Sequence, residues 1–498
     1  MTSLAVRPSA SPWCGSAPPR RVPTRGFGAS LPYDRPVPSP ADVSDSPEGH
    51  PHFTATTGRY RGSRGDGVIH VRGVRYATAR RFRPPEPVTP TDRLVDATSP
   101  APACPQPPSP VDAVLGNLYS ETGFDEDCQR LSLTLPGDVR PGERLPVLVW
   151  IHGGSYVSGG GDLPIYDPTV LVREHRMVVV TVTFRLGVLG FLGDGPDRPA
   201  NLGLLDLIAA LRWVRGEVAA FGGDPDLVTL AGQSAGGDAI AHLLISDGAE
   251  GLFRRAIISS APFGLRRHRA RMTAAMARAT GTLERTTPLP DLLAAQVRAE
   301  RAALRFGLPG GMPFGTQYGR APLPSEDRVR AEWRRAAERV DVLIGWADEE
   351  TALFAEFIAP LRRVFELPGG GRAIRRRMIT TTTDLIYRRP GFRFARLLAG
   401  AGGRVTRFEL GWSPSRMGAA HTVDLPLLFP GPAWVGAPML GGATLPDLIR
   451  LGAEFRRCVA EFAASGTAAP HQDNPIGLRM RRLLPAGRLD NDRSVVRR

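Results

Sequence analysis

Ser234 stands at the centre of Gly232-Gln233-Ser234-Ala235-Gly236, with the apolar run Leu227–Ala231 before it and a helix-like stretch from Asp238 to Leu244 after it. A strand that turns sharply into a helix at a serine is the setting of a nucleophile elbow. Small neighbours leave room for a backbone that larger residues would crowd. The hydroxyl is then held out at a strand end, and the chemistry it suits is acyl transfer through a serine ester.

Such a serine needs donors for the developing oxyanion, a base, and an acid to orient the base. Donors are expected in His152-Gly153-Gly154-Ser155-Tyr156, which follows the run Leu145–Ile151 and precedes Gly159-Gly160-Gly161. Glycine-rich backbone turns its amides towards a negative oxygen without side chains in the way. The amide of Ala235, just past the serine, is their natural partner. His421 is the candidate base. It lies in Gly418-Ala419-Ala420-His421-Thr422, beyond the strand ending near Leu410, where small residues leave the imidazole room to reach another strand end. For the acid, the strand Val342–Ile344 runs out into Asp348, Glu349 and Glu350. All three lie between serine and histidine in chain order, and the residues alone do not choose among them. Tyr156, Phe263, Phe354 and Phe357 are candidate pocket walls.

The elements that must position these groups are legible as apolar runs. Leu145–Ile151, Met177–Thr183, Leu227–Ala231, Ala256–Ser259, Val342–Ile344 and Val405–Leu410 have strand length, and Val68–Val71 reads as a short strand. Asn201 to Phe221 is expected to be one long helix, with Leu204, Leu207, Ile208, Leu211 and Val214 on one face. Strands alternating with helices point to an α/β fold with a mostly parallel sheet covered on both sides. Residues 1–52, rich in Pro, Ser, Arg and Gly, are expected to form a disordered extension. The domain is expected over 53–470, with helical cap segments at about 262–340 and 359–401, and an irregular tail at 471–498.

The 498 residues carry a net charge of +14, and all 63 basic residues are arginine. The arginines are spread along the whole chain. Their densest clusters, Arg266-Arg267-His268-Arg269 and Arg375-Arg376-Arg377, have no interleaved aromatics and no accompanying nucleic-acid motif, so a nucleic-acid partner is not expected. The spacing of the four cysteines suits no metal site. No apolar run is long enough to span a membrane, and the N-terminal stretch lacks the apolar region of a secretory signal, so a cytoplasmic protein is expected.

Taken together, the motifs resemble the type-B carboxylesterase family, which includes the cholinesterases and the bacterial p-nitrobenzyl-type esterases, from about Thr56 to Gly466. The segment Ala219–Gly237 is similar to the family's block around its serine. Phe184–Leu192, Asn201–Asp206, Cys104-Pro105-Gln106 and Glu126-Asp127-Cys128 resemble further family blocks. The resemblance implies an α/β-hydrolase fold, a large mostly parallel central sheet with a helical cap, and no metal or cofactor. It implies Glu350 as the catalytic acid, with Glu349 in reserve, Ser234 as nucleophile and His421 as base. It implies Gly154, Ser155 and Ala235 as oxyanion donors, and a disulfide loop closed by Cys104 and Cys128. Gln233 stands where the family has glutamate, and Ser155 where it has glycine.

The expected function is a serine carboxylic ester hydrolase acting on a small-molecule ester, as a monomer or dimer. The alternatives are an acyltransferase or amidase on the same triad, or a hydrolase-fold binding protein with impaired catalysis.

Overall fold

A computed structural model describes residues 44–45, 49–109, 118–119, 121–266 and 268–484 of the chain. The apolar runs lie side by side in one ten-stranded sheet. Numbered in chain order, its strands are β1 (Ser63–Gly65), β2 (Val68–Arg75), β3 (Arg130–Pro136), β4 (Leu145–Ile151), β5 (Val178–Val182), β6 (Gly223–Gln233), β7 (Arg255–Ser259), β8 (Asp341–Ala347), β9 (Val405–Leu410) and β10 (Arg479–Leu483). Across the sheet they run β10-β9-β8-β7-β6-β4-β5-β3-β2-β1. The five pairings from β9 to β5 are parallel. The four at the edges are antiparallel, so the sheet is mixed, with a parallel centre.

The central strands are apolar throughout because both faces are covered. In β4, Val147, Val149 and Ile151 enter one core and Leu148 and Trp150 the other. The helices Leu202–Glu217 and Ala235–Leu243 close the first core, and the helix Leu445–Ser465 closes the second. The chain leaves β4 to one side for β5 and returns to the other side for β6. Strand order therefore reverses at β4, and a crevice opens beyond the carboxyl ends of the strands at such a reversal. The segment 152–156 after β4 and Ser234 after β6 both sit there.

Four expectations need correction. The last residues of 1–52 are already strand: Ser44–Asp45 pairs antiparallel with Pro51–His52, while 1–43 lies outside the described residues. Proline- and serine-rich composition conceals that short pairing. The tail 471–498 is not irregular throughout, because Arg479–Leu483 pairs with β9 as an edge strand. Its sequence, Arg-Met-Arg-Arg-Leu, is too polar to announce a strand, but an edge strand needs only partial cover. The strand begun at Val68 continues to Arg75, across a register shift between Val71 and Val74 that breaks its alternation. The helix expected over Asn201–Phe221 ends at Glu217 and tightens into a 3-10 turn, Val218–Phe221. Asn201 lies outside it in the left-handed region, where its side-chain amide donates to the carbonyls of Gln317, Arg320 and Ala321.

The segments read as cap carry the helices Ala270–Thr280, Leu289–Ala303, Val329–Ala336, Gly371–Thr383 and Arg389–Ala399. Cys104 and Cys128, the pair joined by the resemblance, are both buried thiols. No helix among the described residues is long and apolar enough to cross a membrane.

One buried ion pair ties the loop after β5 to the helix behind the sheet. Arg185 donates to Asp206 through Nε at 2.8 Å and a terminal nitrogen at 2.6 Å, and both side chains are sealed from water. A further guanidinium nitrogen bonds the carbonyl of Arg83 at 2.7 Å. Removing one partner strands the other charge in the interior. Asp206→Ala is expected to cost about 3–5 kcal/mol in urea unfolding, the general penalty for an orphaned buried charge. A loss below about 1 kcal/mol would mean that water reaches the guanidinium.

Candidate active site

The turn from β6 into the helix Ala235–Leu243 places Ser234 at φ 57° and ψ −122°, outside the regions that L-residues favour. What holds it there is local. Its amide donates to the carbonyl of Ser259 on β7 at 2.9 Å, and its carbonyl accepts from Asp238 at 2.9 Å. A side chain on Gly236 would collide with the carbonyl oxygen of Ile151, the last residue of β4. The glycine lets the helix start press against the neighbouring strand end.

That contact brings the loop after β4 alongside the serine. Gly154 has φ +104°, and a side chain there would strike the carbonyl of Ser158. Ser155 and Tyr156 follow at φ 55° and 61°. Three successive residues in this region turn the backbone so that Val157 and Ser158 both donate to the carbonyl of Gly154. Among the described residues, no hydrogen bond occupies the amides of Gly154, Ser155 or Ala235. The loop is pinned at both ends. Tyr156 donates its hydroxyl to Asp238 Oδ2 at 2.8 Å. His152 stacks on Phe184, with ring centroids 4.6 Å apart. Burial lowers His152 to about 4, so the ring is neutral and its Nδ1–H donates to the Gly153 carbonyl at 2.8 Å. Tyr156, expected as a pocket wall, is instead this buried strut.

Beyond β8, Glu350 is fully buried and accepts from the amide of Ala347 at 2.8 Å. His421, in the loop beyond β9, donates Nδ1–H to the other Glu350 oxygen at 2.5 Å. Its backbone amide also donates to the Glu350 carbonyl, at 3.1 Å. The neighbouring acids point elsewhere. Asp348 pairs with Arg479 at 2.7 Å, and the Glu349 carboxylate lies over Gly418. With Nδ1 protonated and facing Glu350, the lone pair of His421 is on Nε2. Nε2 accepts from the side-chain amide of Gln233 at 3.2 Å. Phe354 and Tyr387 pack against the imidazole, with centroids 5.2 and 5.3 Å away.

Ser234, Gly154, Ser155 and His421 line one pocket of about 280 Å³. Phe354 and Phe357 form part of its wall with Val157, Ile165 and Leu425, whereas Phe263 lines a different cavity. Glu300, from the helix Leu289–Ala303, also faces this pocket and accepts from Gln296 at 3.0 Å. Sequence reasoning passed over Gln233 as a partner of the histidine, Tyr387, Glu300 and Asp424. Asp424 is three residues past His421 and is fully enclosed. It accepts from the Ser259 hydroxyl, on the residue whose carbonyl holds Ser234. A lone acid in the apolar run Val423–Leu428 was its available signal.

Known proteins share this architecture. The model of the Carboxylesterase family matches residues 50–366. The chain is 40% identical over 426 residues to a probable N-octanoylanthranilate hydrolase of Rhodococcus erythropolis, covering 83% of this chain and 92% of that one. It is 31% identical over 430 residues to the phenmedipham hydrolase of Pseudarthrobacter oxydans, covering 79% and 85%. A solved thermophilic PNB esterase superposes with a TM-score of 0.68 at 29% identity, over 84% of this chain and 91% of that structure.

Burial, opposed by the Ser259 hydrogen bond and reinforced by nearby Glu350, pushes Asp424 up to about 6. The folded state therefore binds that proton more tightly than the unfolded chain does. Its contribution to stability is complete below about pH 4 and is lost as pH rises through about 6. Asp424→Asn keeps an acceptor for Ser259 and removes the titration. Between pH 4 and 7 the wild type is expected to lose about 2 kcal/mol relative to this variant in urea unfolding, the larger part of the stability linked to a proton held roughly a hundredfold more tightly by the folded state. Parallel stability curves for the two proteins would contradict this.

Proposed function

The chain belongs to the carboxylesterase family and is an ester hydrolase, and from that premise we propose that Ser234, His421 and Glu350 carry its catalysis. The carrying observation is the 2.5 Å bond from His421 Nδ1 to Glu350, which leaves the Nε2 lone pair turned towards Gln233 and the elbow. In this reading the Ser234 hydroxyl displaces the Gln233 amide from Nε2 as substrate enters. Ser234 Oγ attacks the ester carbonyl and its proton passes to Nε2. Glu350 steadies the imidazolium, and the amides of Gly154, Ser155 and Ala235 receive the oxyanion. Each such donor is worth about 3–4 kcal/mol in the transition state. Collapse expels the alcohol, protonated from Nε2. A water then attacks the acyl-enzyme with His421 as base and releases the acid.

The pocket, with aromatic and aliphatic walls, supports a small ester with an apolar acyl or aryl group as substrate. A second reading, amide cleavage by the same triad, is favoured by the long match to a relative named for an N-acyl anthranilate. Glu300 bears on the choice. Burial raises its carboxyl above the usual range, yet a substrate carrying its own carboxylate would meet a like charge once Glu300 ionises.

Wild type is expected to turn over p-nitrophenyl esters from acetate to octanoate. Ser234→Ala is expected to abolish turnover, and Glu350→Gln to lower kcat by about 10⁴, as when the orienting acid of a triad loses its charge. Glu349→Gln is expected to leave kcat within about twofold, because its carboxylate is turned away from the imidazole. Residual turnover by Ser234→Ala, or a large loss confined to Glu349→Gln, would defeat these assignments. In a second comparison, Glu300→Gln is expected to improve kcat/KM for a carboxylated aryl ester about fivefold over its neutral analogue, equal to about 1 kcal/mol of relieved repulsion. Equal changes for both substrates would remove Glu300 from substrate selection.

A further inference from the structure

A cavity of about 650 Å³ shares no lining residue with the active-site pocket. Its walls come from the turn Phe263–Leu265, the helix Val329–Ala336, the π-helical turn Asp384–Arg388 and the helix Arg389–Ala399. Arg266, Arg330, Arg334, Arg393 and Arg396 line it, and no acidic residue does. Leu385, Pro390 and Leu397 supply apolar surface, and Leu385 is half exposed.

What distinguishes these arginines is their convergence on one concave surface with no acid among its walls. Some surface arginines elsewhere are matched by acids, Arg61 by Asp96, Arg176 by Glu143 and Arg404 by Asp341, while others such as Arg59 and Arg376 stand singly on open surface among the described residues. Around this cavity, no hydrogen bond or ion pair among the described residues engages the guanidinium of Arg330, Arg334, Arg393 or Arg396. Arg266 sits over the rings of Phe263 and Trp333, its guanidinium carbon 4.5 and 4.3 Å from their centroids, so the cavity wall there is itself cationic. Like charges gathered around a concave, partly apolar surface repel one another and focus a positive field into it. Planar guanidinium forks match a carboxylate in two-point contact. The exposed leucine and proline surface calls for an apolar body attached to that anion.

We propose that this cavity binds an amphipathic carboxylate, an alkyl or aryl acid of medium length. Its carboxylate bridges the guanidinium groups, and its apolar body lies on Leu385, Pro390 and Leu397. The volume falls in the range of small-molecule sites.

The test uses the full chain with the active site sealed by phenylmethylsulfonyl fluoride, the seal verified by mass. Octanoate is titrated calorimetrically, with octanol and acetate as partial probes. Saturable 1:1 octanoate binding is expected, at least tenfold tighter than either partial probe and weakened by salt. Arg330→Glu/Arg393→Glu is expected to weaken it at least tenfold. The reversal Arg59→Glu/Arg93→Glu, at exposed positions outside the cavity, is expected to change it less than twofold. Arg330→Gln/Arg393→Gln provides a milder pair, and unchanged melting temperature and ester turnover in the unsealed variants show that each is folded. Absence of saturable binding overturns the proposal. So does binding indifferent to the cavity pairs, or equally sensitive to the distant pair, which is the behaviour of diffuse net charge. If the seal fails to form while octanoate binding follows the cavity arginines, the triad assignment is at fault and the cavity proposal stands.

Discussion

The close approach of the start of the helix Ala235–Leu243 to the end of β4 is the constraint on which the site's arrangement depends. The amide side of that helix start and the glycine loop after β4 face the same small volume because Gly236 has nothing to hold them apart. The Ser234 backbone is strained at this junction, and strain of this kind persists only where surrounding bonds over-determine it. Here those bonds are the amide link to Ser259 on β7 and the Tyr156–Asp238 hydroxyl bond that closes the far side. Ser234 and the loop 152–156 are thus one mechanical unit, although about eighty residues of chain separate them.

Much of the fold was legible because central strands buried on both faces leave no ambiguity: β4, β5, β7 and β9 appear in the sequence nearly as they stand in the sheet. The edges were not. β10 is three arginines among five residues, and only its partner β9 makes it a strand. At the site, Ser234, His421 and the loop 152–156 are readable because glycine and strand context mark them. Asp348, Glu349 and Glu350 are indistinguishable by type and spacing. What separates them is direction: one turns to Arg479, one over Gly418, one inward to His421. Such directions are set by contacts with residues far along the chain, and no local pattern encodes them. The same holds for Tyr387, which packs on the His421 ring, and Glu300, which faces the pocket; both come from helical segments whose sequence looks like ordinary cover.

Arginine has two kinds of role in this chain. Inside, it acts as a staple. Arg185 joins a strand-end loop to a helix, and Arg456 bonds Glu174 and the carbonyl of Leu427 across the second core. Arg269 gathers the carbonyls of Leu265, Met312, Pro313 and Phe314. A guanidinium suits this because it offers several donors in fixed directions and keeps its charge when enclosed. Outside, the same residue leaves a local excess of positive charge wherever acids are missing, as around the large cavity.

Gln233 occupies the lone pair of His421 with a dipole in place of a charge. A carboxylate there would set a full negative charge against the imidazole, whereas an amide brings only a neutral donor. Uncovering the nitrogen then requires buried Gln233 to give up one neutral hydrogen bond, so access to it becomes a matter of local packing.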